Sequence, residues 1–118
     1  MKNYLVFTMA TLLLWTSCSS NKKEQLEGFT GALGEVKLIT LDPGHFHAAL
    51  VQKVSYPQVC KDVYVYAPGG FDVDEHLKRI EGFNTRAENP TGWNEIVYTG
   101  SDYLEKMLSE KNGNVMIQ

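Results

Sequence analysis

The chain has 118 residues, a formal charge of −3 and 43% hydrophobic residues, which allows one small core. No basic stripe or run of like charge is present, which argues against nucleic acid and against a charged membrane-surface helix. Its two cysteines, Cys18 and Cys60, form no C-x-x-C pair.

The amino terminus carries Lys2, an apolar run from Tyr4 to Trp15, and small residues before Cys18. A basic start, a short apolar stretch and a cysteine make a bacterial lipoprotein signal over 1–17, too short for a membrane span of about 20 apolar residues. Trp15 stands where such signals usually have leucine. On this reading Cys18 becomes the lipidated first residue, anchors the chain to a membrane of the cell envelope, and leaves Cys60 without a disulfide partner. A polar tether over 18–35, interrupted by Gly28, Gly31 and Gly34, leads to a domain over 36–118.

Val36–Leu41 reads as a strand apolar on both faces, as in a buried parallel sheet. It runs through Asp42-Pro43-Gly44 directly into a helix over His45–Val54, with Ala48, Val51, Phe46 and Leu50 as its inward candidates. Tyr56-Pro57 ends that helix. Asp62–Ala67 is a second strand, rich in β-branched and aromatic residues, closed by Pro68-Gly69-Gly70. Asp72-Val73-Asp74-Glu75 opens a second helix at capping-box spacing, with Val73, Leu77 and Ile80 as its stripe. A polar loop spans Gly82 to Gly92, and Trp93–Thr99 is a short third strand near a sheet edge. Ser101 caps a third helix facing inward through Leu104, Met107 and Leu108, Asn112-Gly113 ends it, and Val115-Met116-Ile117 begins a fourth strand.

The order βαβαβαβ predicts an α/β fold with a parallel sheet and right-handed crossovers, a partial Rossmann-like domain that breaks off after its fourth strand. In such sheets a ligand meets the chain where a strand's carboxyl end turns into a helix. That makes Asp42, Pro43, Gly44, His45, Phe46 and His47, with Ala67 and Pro68 at the end of the second strand, the candidate nucleotide contacts. Chelation by His45 and His47 is disfavoured, because i and i+2 on a helix diverge by about 200°, and no metal site is assigned. A histidine donating to a phosphate or sugar oxygen, and a histidine that only packs, both stay open. The loop Phe83–Trp93 offers amide, guanidinium and indole groups suited to sugars or phosphates, or is an ordinary surface excursion. Tyr64, Tyr66 and Tyr98 alternate at strand spacing and read as packing residues.

From Val36 onward the chain resembles the nucleotide-binding half of the glucose–fructose oxidoreductase, inositol dehydrogenase and rhizopine-catabolism group (Gfo/Idh/MocA), in a secreted and lipoprotein branch from Bacteroidetes. The resemblance is carried by Leu41-Asp42-Pro43-Gly44-His45-Phe46-His47-Ala48-Ala49-Leu50-Val51-Gln52, Val65-Tyr66-Ala67-Pro68, His76 to Asn84, and Tyr98-Thr99-Gly100. It implies an oxidoreductase using NAD or NADP on sugars or sugar derivatives, with catalytic residues beyond Gln118 and no turnover by this chain alone. The turn departs from the family's G-x-G-x-x-G by holding Gly44 alone. Ala67-Pro68 stands where many members place a ribose-binding acid, and Asp72 and Asp74 are explained by capping. Two alternatives accompany this reading: a glycosidase of the same superfamily that keeps NAD bound, and a non-catalytic sugar-binding surface lipoprotein. Substrate and oligomeric state are not legible in these residues.

Overall fold

A computed structural model describes residues 28–118; the signal over 1–17, Cys18 and the tether as far as residue 27 lie outside the described residues. Four strands, β1 (Leu38–Leu41), β2 (Asp62–Ala67), β3 (Asn94–Thr99) and β4 (Val115–Ile117), form one sheet in the order β3-β2-β1-β4. Every pairing is parallel. The order is that of the first half of a Rossmann sheet, with the chain reversing direction between β1 and β4.

The connections explain the two faces. A seven-residue 3-10 helix (Phe46–Gln52) joins β1 to β2, and helix α1 (Phe71–Thr85) joins β2 to β3. Both pack on one face, where Leu38, Ala49, Val63, Ile80 and Trp93 make an aliphatic core with one indole. Helix α2 (Tyr103–Glu110) returns over the other face to β4, covering Ile39, Leu41 and Tyr66 with Met107. Alternate residues of a strand point to opposite faces, so β1, wholly buried, serves both cores. Tyr66 and Tyr98 stand 6.4 Å apart by ring centroids on the α2 face, so these strand tyrosines do pack.

Four expectations are corrected. The first helix is a 3-10 helix, and its buried residues are Ala48, Ala49 and Gln52, while Phe46, Leu50 and Val51 lie about half exposed. Three residues per turn place Ala49 and Gln52 on one line, and the alanines let the narrow helix lie close to the sheet. In α1 the cap position belongs to Gly70, which makes no side-chain cap bond, so Asp72 and Asp74 do not close a capping box. Gly69 and Gly70 both adopt positive φ (98° and 100°), which only glycine does at little cost, and they make the turn expected of Pro68-Gly69-Gly70. In α2 only Met107 is buried; Leu104 and Leu108 are exposed, and Asp102 rather than Ser101 precedes the helix. The helix ends at Lys111 in the left-handed region, just ahead of Asn112-Gly113. A Cβ on Gly113 would lie 2.6 Å from Ile39 Cγ1 and 2.7 Å from the Lys37 carbonyl oxygen, so glycine is needed there for close approach. The first strand begins at Leu38, with Val36 joined to Val59 by an isolated parallel bridge.

Candidate functional site

The carboxyl end of β1 breaks sharply. Asp42 takes φ 42°, a left-handed conformation that aspartate tolerates better than most residues, while its N–H donates to the Tyr66 carbonyl at 2.8 Å. This holds β1 to β2 up to the last residue and turns the chain outward into buried Pro43 and exposed Gly44. A Cβ on Gly44 would meet nothing closer than the Asp42 carbonyl oxygen at 4.0 Å, and its φ lies outside the glycine region. The glycine is therefore open ground beside the backbone, required by no constraint of the fold itself.

His45 caps the 3-10 helix from an extended conformation (φ −133°, ψ 144°), and its Nδ1 accepts from the His47 N–H at 3.3 Å. A nitrogen that accepts carries no proton, so the neutral ring carries its proton on Nε2 and can donate outward there. The expected divergence of the two imidazoles does not occur: their centroids are 4.4 Å apart, because His45 precedes the helix and folds back over its first turn. Among the described residues no group of three or more His, Cys, Asp or Glu stands together to hold a metal ion. Among the described residues the N–H groups of Gly44, His45 and Phe46 have no hydrogen-bond partner within the chain.

Pro43, Gly44, His45 and Phe46 form one wall of a cavity of about 250 Å³; the other wall is the first half of α1, with Phe71, Asp72, Glu75, His76 and Arg79. Asp42, His47, Ala67 and Pro68 do not line it. Ala67 is sealed, and its carbonyl accepts from the Gly100 N–H at 3.1 Å, tying the ends of β2 and β3 together; Pro68 is exposed. The α1 wall was not singled out from the sequence. Asp72, freed from capping, faces the cavity, and the Arg79 guanidinium carbon lies 5.8 Å from the Phe46 ring centroid. His76 is only 4% exposed, and its Nε2 is buried without a partner among the described residues. Burial holds the His76 imidazole below its ordinary pKa, and the Arg79 charge adds to the effect. Its spacing could have revealed it: His76 falls three residues after Val73 and four before Ile80, on the buried stripe of α1.

The other region of interest, the loop after α1, uses its polar groups internally. Asn84 Nδ2 donates to the Trp93 carbonyl (2.9 Å), and Asn84 Oδ1 accepts from the Thr91 hydroxyl (2.8 Å) and the Trp93 N–H (2.9 Å). Arg86 donates through Nε to the Asn89 carbonyl (2.9 Å) and through Nη2 to the Lys53 carbonyl (2.7 Å). The Trp93 indole is 5% exposed. These groups brace the loop, and the surface-excursion reading is the one the structure supports.

The cavity can do three things chemically. Unpaired backbone N–H groups and Arg79 suit an anion, the exposed faces of Phe46 and Phe71 suit a planar ring, and Asp72 and Glu75 suit hydroxyl groups. Its volume is just below the roughly 300–1,000 Å³ of small-molecule pockets, so it takes a part of a large ligand.

Neither a protein-family model nor a curated protein matches the chain. Among solved structures the chain is similar to that of a candidate oxidoreductase from Parabacteroides merdae, at 91% identity and a TM-score of 0.75. The match covers 76% of this chain and 20% of that one, so this chain spans about a fifth of its neighbour's length.

Proposed function

We propose that this chain is the amino-terminal, nucleotide-binding part of an NAD(P)-dependent oxidoreductase of the Gfo/Idh/MocA kind, acting on sugars or sugar derivatives. The observation that carries this reading is the open turn at Gly44, with three unpartnered N–H groups, at the carboxyl end of the central strand of a 3-2-1-4 parallel sheet. The 91% identity to a candidate oxidoreductase supports it. The residues fit a dinucleotide's phosphate at the turn and an adenosine moiety in the adjoining cavity. One feature of the family pattern is replaced: the acid absent after β2 is supplied from the first turns of α1, by Asp72 and Glu75. Arg79 on the same wall would favour an additional phosphate and hence NADP. Anchoring through Cys18 would put this activity in the bacterial cell envelope.

The test is calorimetric titration of NAD and NADP into the wild-type protein and Gly44→Val. Because Gly44 has space and an ordinary φ, the variant should melt like the wild type. Its nucleotide affinity should fall tenfold or more, the equivalent of losing about one charged-group hydrogen bond of 1.5–3 kcal/mol. Equal affinity in the two proteins, or no binding to the wild type, would sink the proposal.

A further inference from the structure

We infer that Glu95 carries a proton in the folded chain and uses it to close a paired acid–amide contact with Gln52, a seam that opens when the proton leaves. This seam lies away from the cavity, at the start of β3 and the end of the 3-10 helix. Gln52 is fully buried, and its Nε2 donates to Glu95 Oε1. Two oxygens are left over, Gln52 Oε1 and Glu95 Oε2, both sealed from solvent and both without a partner among the described residues. A carboxylate offers only acceptors, and an amide oxygen is another acceptor, so these two atoms cannot satisfy each other while Glu95 is charged. One proton on Oε2 makes it a donor. The amide and the acid then present matching donor–acceptor pairs, and a single proton satisfies both leftover oxygens.

The surrounding charges do not favour the anion. From α1, Lys78 and Glu81 border the same cleft as Glu95, and the Lys78 ammonium is turned to Glu75 at 3.6 Å. Beside the start of β3, Asp62 accepts from the Asn94 amide at 2.8 Å, and the Lys61 ammonium sits 4.6 Å from the Trp93 ring centroid while donating to the Ser55 hydroxyl. At the end of the 3-10 helix, Arg86 is spent on the Lys53 and Asn89 carbonyls. Neither ion pair found among the described residues includes Glu95. Burial accordingly pushes the Glu95 carboxyl up to about 7, against the opposing pull of the Gln52 amide.

The seam joins the 3-10 helix to the sheet. The Trp93 indole N–H donates to the Gln52 carbonyl at 2.6 Å, so Gln52 is gripped by its backbone and its side chain at once. The folded chain holds the Glu95 proton more tightly than the unfolded chain, whose carboxyl titrates near 4.3. The stabilisation is therefore complete at pH values below about 4.3, and is lost as pH rises from there through about 7.

The experiment is denaturant unfolding of the full chain from pH 5 to 9, for the wild type and Glu95→Gln, with the Glu95 carboxyl carbon followed by NMR in the wild type. The amide of Glu95→Gln keeps a donor opposite Gln52 Oε1 at every pH. The wild-type midpoint should fall across this range, the variant's should fall less, and the variant should be the more stable protein at pH 9. The carboxyl signal, assigned through its bonded side-chain protons in the wild type, should titrate close to neutrality. Parallel pH profiles for the two proteins would overturn the inference. So would a carboxyl titration in the ordinary acidic range, which is read on the wild type even if the variant does not fold.

Discussion

His76 and Glu95 sit in different regions of the same sheet face, one on the wall of the open cavity and the other in the closed seam. Burial favours the neutral form of both, yet it fixes opposite responses to acid. A buried imidazole resists gaining a proton, and a buried carboxyl resists losing one. The cavity side of the molecule is therefore weakened from the acid side and the seam from the alkaline side. The regions also differ in what they leave unmet: the turn at Gly44–Phe46 has spare donors facing solvent, whereas the seam has spare acceptors sealed inside. Spare donors at an open turn cost little, because water satisfies them until a ligand arrives. Spare acceptors in a sealed seam call for a proton.

The most severe way to break this contrast is Trp93→Ala. It removes the indole from the aliphatic core and the N–H that holds the Gln52 carbonyl, and should cost about 3–5 kcal/mol in denaturant unfolding. A loss below about 1 kcal/mol would mean that the seam is not a structural joint. A smaller effect is expected at the open turn. His45→Ala removes the outward donor and should weaken NAD(P) binding by about 1–3 kcal/mol, while loss of its cap bond to the His47 N–H should cost only about 0.5–1 kcal/mol of stability. A loss of stability with unchanged NAD(P) affinity would make His45 a purely structural residue. The mildest test sharpens the pH contrast. With its folded pKa below the unfolded value, His76 leaves stability untouched above about 6.5 and removes it as pH falls from there. Placed in a Glu95→Gln background, so that the carboxyl does not mask it, His76→Leu should flatten the acid limb of the unfolding midpoint between pH 7 and 5. An unchanged limb would show that burial at this position does not control the imidazole.

The strands were legible in the sequence because their signals are local. Asp62–Ala67 and Val115–Ile117 are observed at the bounds that β-branched and aromatic runs predict, and alternation placed Tyr66 and Tyr98 in packing. Helix faces were less legible. In the 3-10 helix a period of 3.0 replaces 3.6, so the inward line passes through Ala49 and Gln52 rather than Leu50 and Val51. Reading polar residues as outward then concealed Gln52, His76 and Glu95, the groups whose chemistry depends most on burial. The turn at 42–47 was legible as a site, but its second wall was not, because α1 reaches it only through tertiary packing of helix on helix. The acids at Asp72 and Asp74 matched a capping pattern well, but the helix starts earlier, at Phe71, so the cap position falls on Gly70 and both acids lie inside the first turn.

The pairing of β1 with β4 also bears on how the chain assembles. The strands β1, β2 and β3 join neighbours in sequence, each through one helical connection. By contrast, β4 reaches β1 across nearly the whole domain: the Lys37 N–H donates to Asn114 Oδ1 over a separation of 77 residues. Closing so long a loop carries the largest entropy cost of any contact in the sheet. The pairing of β4 with β1 is thus the contact of the sheet that gains most from the elements between the two strands being folded already.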